Sequence, residues 1–115
     1  MNTTIAEHPP VPQVLQDALK DHPEVVAELQ RGLQTVGRNA GMTKAQLTDQ
    51  FEKAIWVLDG TLEKASVQAL TRLRKAESDG DDERTESERA KFHQIDHSYT
   101  VTRRIGIREL RSFFE

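Results

Sequence analysis

Two histidines one helical turn apart, in His93-x-x-Asp96-His97, are the nearest this sequence comes to a metal-binding arrangement. Both rings can reach one ion from a helix face, but zinc takes about three or four protein ligands. His8 and His22 lie far off along the chain, and cysteine is absent. No Glu stands where a zincin helix carries its base. These histidines are read as surface or half-buried side chains, and neither metal nor cofactor is expected. The run Asp79-Gly80-Asp81-Asp82-Glu83 resembles a calcium loop in composition only. Arg84 stands where an EF-hand loop needs its sixth-position glycine, and the terminal bidentate Glu is missing.

Catalytic constellations are equally hard to assemble. The acids fall on helix exteriors or in a loop, with no apolar enclosure to set one carboxyl apart from another. Ser66, Ser78, Ser87, Ser98 and Ser112 have no nucleophile-elbow context. Gly32, Gly37 and Gly41 do not form the strand–loop–helix cradle that holds phosphate. No enzyme is expected.

Composition sets the outer bounds. The chain has 115 residues, with 16 Lys+Arg against 19 Asp+Glu and no cysteine. Its length suits one small domain over residues 1–115. Without cysteine there is no disulfide framework, zinc finger, iron–sulfur site or thiol nucleophile. No stretch approaches the roughly 20 apolar residues that span a bilayer, and Met1 to Val11 lacks the parts of a signal peptide. The expected location is the cytoplasm, with no membrane partner.

The elements that position these residues read as helices. Val14, Leu15, Ala18 and Leu19 recur at helical spacing after Pro12. A second start at Asp21-His22-Pro23-Glu24 leads into Val25, Val26, Leu29, Leu33 and Val36, with Gly37 and Gly41 bracketing the stop. The best local signal is Thr43 with Gln46, a capping box, flanked by Met42 and Leu47 as a hydrophobic staple. From there Leu47, Phe51, Ala54, Leu58, Leu62, Ala65, Ala69, Leu73 and Ala76 follow at steps of three and four. Their mean period of about 3.63 is that of a nearly straight helix rather than a heptad coiled coil. A helix over about 44–77 would run roughly 50 Å. It must project, pair or break, and the one point for a break is Asp59-Gly60-Thr61. The stripe keeps its phase across Gly60, which favours continuity.

Residues 77–85 read as an acidic loop or linker, and residues 76–90 carry seven acids against two bases. Thr85 and Glu88 offer a second capping box for a short helix through Phe92 and Ile95. Tyr99, Val101 and Thr102 then favour an extended form. Residues 98–115 form an apolar and basic tail, with a terminal helix from Ile107. The expected fold is all-α, with three to four helices dominated by the long central one and a short C-terminal helix after the extended segment.

On a helical wheel with Leu47 at zero the main stripe is centred near 30–40°. Trp56 falls at about 180°, Val67 at about 200° and Leu70 at about 140°. The long helix thus has a second, sparser apolar face, and Gly60 on it would admit a neighbouring helix closely. Two faces need two covers. The candidates are the chain's own tail folding back over Trp56, a second copy in a homodimer, or a different protein. Arg103, Arg104, Ile107, Leu110, Phe113 and Phe114 make the tail a second contact surface, able to enter a groove in an acidic partner or to dock on its own chain.

The functional expectation is therefore a small non-catalytic protein that binds another protein, of the antitoxin, immunity, inhibitor or adaptor type. It would act through the Trp56, Gly60, Val67 and Leu70 face together with the tail. The runner-up is a small helix-turn-helix DNA-binding regulator. It would pair the helix before Arg38 with the start of the long helix, where Lys44, Gln46, Gln50 and Lys53 would face the bases. Six bases against four acids over residues 41–75 is a thin excess for phosphate binding.

Overall fold

The computed structural model describes residues 7–101 and 106–115, which form an all-α fold of five helices. These are α1 (Gln13–Ala18), α2 (Pro23–Leu33), α3 (Lys44–Ser78), α4 (Asp82–Val101) and α5 (Ile107–Phe114). The molecule is elongated, with extents of 61 × 28 × 19 Å and a radius of gyration of 16.8 Å. A compact chain of this length would have a radius near 13 Å. The difference comes from α3.

The capping box forms as its spacing implies. The Thr43 hydroxyl accepts from the Gln46 N–H at 3.2 Å, and the Thr43 N–H donates to Gln46 Oε1 at 2.9 Å. The helix then runs unbroken across Gly60 to Ser78. Ala54, Leu58, Leu62, Ala65, Ala69, Leu73 and Ala76 are its buried stripe. Helix α2 places Val25, Leu29 and Leu33 against that stripe, with Pro23 in its first turn, where a missing N–H costs nothing. The α2–α3 crossing is close at one point: a methyl group on Gly32 would lie 2.5 Å from Val57 Cγ1. That contact admits only glycine on α2.

Helix α4 returns antiparallel along α3 after a tight turn at Asp79–Asp81, where Gly80 takes φ 68. Most of the expected acidic loop is therefore helical. Asp81 caps the new helix by accepting from the Arg84 N–H at 3.0 Å, so α4 begins ahead of the Thr85–Glu88 pair. Glu88 is drawn inward instead. Its side chain is 12% exposed and meets Arg72 Nε at 3.2 Å and Lys91 Nζ at 3.8 Å. At the other end α4 continues through Tyr99 and Val101, where extended chain was expected. Packing decides this: Phe92, Ile95, Ser98 and Tyr99 turn one face to the core, and that outweighs a β preference that is itself largely a response to context.

Both flanking segments close on the same end of the bundle. Glu7 and Arg38 exchange backbone hydrogen bonds at 2.8 Å each. The Arg38 guanidinium donates to the Phe113 carbonyl. The Gln13 N–H at the start of α1 donates to Glu109 Oε2 at 2.7 Å. Leu110 and Phe114 are buried, and the Phe114 ring lies 6.2 Å from that of Phe51. The tail thus folds back onto its own chain.

Candidate functional site

The fold covers the main stripe of α3 and leaves the opposite side open. Trp56 is 82% exposed and Val67 is 59% exposed, and these are the two exposed large hydrophobics among the described residues. A Trp left in water about a third of the way along the longest helix forgoes the burial of one of the largest apolar side chains. Gly60 lies between them, exposed, with none of the described residues within 4 Å of where a side chain would begin. Leu70 is half-buried at the edge of the same face.

Two shallow depressions flank the indole. One, of about 500 Å³, is lined by Asp49, Gln50, Glu52, Lys53 and Trp56. The other, of about 360 Å³, lies between α2 and α3 and is lined by Glu28, Gly32, Trp56, Val57, Gly60, Thr61 and Lys64. Lys64 reaches Glu28 across it at 3.3 Å. The remaining charges along the ridge, Asp49, Glu52, Glu63 and Arg74, are exposed and have no ion-pair partner among the described residues. This is a convex apolar ridge with charged flanks. Such a surface suits contact with a complementary one.

The structure separates the two groups of expected contact residues. Trp56, Gly60 and Val67 share the open face. The tail does not cover Trp56, so the fold-back arrangement is corrected in its target: α5 seats on Phe51, near the N-terminal end of the main stripe. The physical reason is the phase of α3, since Phe51 belongs to the buried stripe and Trp56 projects about 140° away from it. Leu110 and Phe114 serve the chain's own core, Ile107 and Phe113 are half-buried, and Arg103 and Arg104 lie outside the described residues. Arg111 lies 5.6 Å from the centre of the Phe51 ring. The pocket beside it, of about 520 Å³ and lined by Lys44, Leu47, Thr48, Phe51, Arg111, Phe114 and Glu115, is the seam of this intramolecular docking.

The side chains proposed to read bases are partly committed elsewhere. Gln46 is held in the capping box, and Gln50 Oε1 accepts from the Gly37 N–H at 2.9 Å. Lys44 and Lys53 are exposed. Residues 34–43 connect α2 to α3, a longer link than the about three or four residues of a helix-turn-helix.

Sequence reasoning missed two part-buried polar contacts that tie α4 to the rest. His22 Nε2 pairs with Gln94 Oε1 at 2.6 Å, and Arg72 pairs with Glu88. Nothing in local spacing signals either, because the partners are brought together only by the fold. His8 Nδ1 meets the Val36 carbonyl at 2.7 Å, while His93 and His97 are exposed on α4. Among the described residues no group of three or more His, Cys, Asp or Glu is placed to hold a metal ion, and no helix is long and apolar enough to cross a membrane. Comparison with family models, with curated proteins and with solved structures finds no match to this chain.

Proposed function

We propose that this protein works without catalysis, by binding a protein partner along the open face of α3. The observation that carries the proposal is the exposure of Trp56 in the interior of a continuous, capped helix. Trp is a frequent energetic anchor in interfaces because its large area is buried at low rotamer cost. Here it is held out on a helix that needs no rearrangement to present it. The flanking depressions would receive side chains of a partner, and the unpaired Asp49, Glu52 and Arg74 would set its orientation. The tail takes no direct part in this proposal, since its Leu110 and Phe114 fill the protein's own core. Antitoxins, immunity proteins, inhibitors and assembly adaptors act by this kind of contact.

The test compares the full chain with Trp56→Ala and Val67→Glu as immobilised bait in extract from the source cells. Both variants should keep wild-type helicity by circular dichroism, because surface changes of this kind alter stability by about 0.5 kcal/mol or less. Capture of a protein by the wild type and its loss in both variants supports the proposal. Capture that is indifferent to Trp56 and Val67 refutes it. So does salt-sensitive binding to duplex DNA that depends on Lys44 and Lys53 and not on Trp56.

A further inference from the structure

Three pairs of residues on the open ridge of α3 are placed symmetrically about a single point. Trp56 and Val67 are 11 positions apart, about three helical turns. Asp49 and Arg74 are 25 positions apart, about seven turns, so all four lie along one line of the helix. The midpoint of each pair falls between Thr61 and Leu62, and the midpoint of Gly60 and Glu63 falls there too. We infer that the partner of this face is a second copy of the same chain, with the two α3 helices packed antiparallel about a dyad at Thr61–Leu62.

In that register Trp56 of one chain meets Val67 of the other, and the contact occurs twice, as a two-fold axis requires. Asp49 meets Arg74 at both ends, with Glu52 one turn further along to share the same guanidinium. A parallel pairing would instead set Asp49, Glu52 and Arg74 each against its own counterpart, whereas the antiparallel register leaves one like-charge contact, the two Glu63 side chains that flank the dyad. Charge pattern therefore selects the antiparallel arrangement.

Gly60 supplies an independent argument. It is the single glycine of α3, and it stands 1.5 positions, about 2 Å, from the dyad. Among the described residues nothing comes within 4 Å of its missing side chain, so no contact seen there requires a glycine. Two crossing helices come closest at their dyad, and a glycine beside it lowers the barrier to close approach. Gly32 shows the same device within the chain, where a close helix crossing has already formed.

The size of the contact is consistent with reversible association. The ridge from Asp49 to Arg74 is about 38 Å long and about 10 Å wide, which gives on the order of 400 Å² per chain, or 800 Å² in all, in the range of weak, transient contacts. The inference rests on the same open face as the proposed function and names its occupant.

The experiment is sedimentation velocity on the full chain from about 1 μM to 1 mM, with Trp56 fluorescence followed in parallel. A monomer–dimer equilibrium is expected, together with a blue shift in emission as dimer forms. Trp56→Ala should raise the midpoint concentration at least tenfold. Asp49→Arg and Arg74→Asp should each abolish dimerisation. Mixed together they should associate, because the mixture restores both charge pairs, and the double variant should dimerise alone. A monomer at every concentration overturns the inference, as does a dimer indifferent to Trp56→Ala or single-charge variants that fail to complement on mixing. If the chain stays monomeric while another protein is captured in a Trp56-dependent way, the second copy is refuted and the binding face stands. If neither measurement depends on Trp56, both are refuted.

Discussion

Replacing Gly60 by Ala should make the isolated chain more stable, by an amount the structure fixes closely. Glycine inside a helix is less favourable than alanine by about 0.8–1.0 kcal/mol, because it gives up more backbone freedom on folding. Two terms could offset that gain, and neither applies. Among the described residues the new methyl group would meet nothing within 4 Å, which leaves no steric cost. Gly60 is also not among the positive-φ residues, so alanine suffers no backbone strain. The full propensity difference should therefore appear. With an unfolding entropy near 2.1 cal/mol/K per residue, 115 residues give about 0.24 kcal/mol/K, so Tm should rise by about 3–4 °C. The assay is thermal and urea unfolding followed by circular dichroism at low micromolar concentration, where self-association makes no contribution. The urea slope should not change. A Tm that stays level or falls would show that α3 bends at Asp59–Thr61, and a straight continuous helix would be refuted.

Gly32→Ala should act in the opposite direction, costing about 1–3 kcal/mol through overpacking against Val57, whose β-branched side chain has little freedom to swing aside. Adding Val57→Ala should relieve that clash in urea unfolding; a stabilised Gly32→Ala would contradict the α2–α3 crossing. Arg72→Ala should cost about 1–2 kcal/mol by stripping the closer cation from the largely buried Glu88 carboxylate, and Glu88→Leu in the same background should recover most of it. An unaltered urea midpoint for Arg72→Ala would show that the pair is idle. Phe114→Ala should cost about 3 kcal/mol, the lower end for a buried aromatic because a terminal helix can partly collapse into the space. A loss under about 1 kcal/mol would mean that α5 is not seated on Phe51.

The parts of this fold that were legible in the sequence are those where local chemistry and burial agree. Thr43 and Gln46 announce the start of α3, and the three-and-four spacing from Leu47 to Ala76 carries it across Gly60 with no change of phase. The open face was legible too, because Trp56 and Val67 fall opposite that stripe whatever packs on it. Helix α4 was harder to see. The residues that its first half turns inward are Thr85 and Glu88, a polar pair that gives no hydrophobic period to detect. Its inward face becomes acceptable only because α3 offers small Ala69 and Ala76 opposite, and Arg72 to meet the carboxylate. Tyr99 and Val101 were misleading for a related reason, since their β preference holds for an average setting and here a core lies on the helical side. The seat of the tail depends on pairings such as Gln13 with Glu109 and Arg38 with Phe113, which span most of the chain and leave no trace in local spacing.

The hairpin of α3 and α4 has a further consequence for how the molecule opens. Among the described residues, no hydrogen bond or ion pair ties residues 73–91 to any helix other than these two. The opposite end is clasped through Arg38, Glu109 and Phe114. Resistance to opening should therefore be graded along α3. Amide protons near Arg74 would exchange through local fraying, while those near Leu58 would wait for the whole bundle to unfold. Anything that lies along the ridge from Asp49 to Arg74 would bridge the firm end to the loose one. Occupancy of the face would then register most strongly far from the tryptophan, as slowed exchange at the tip of the arm.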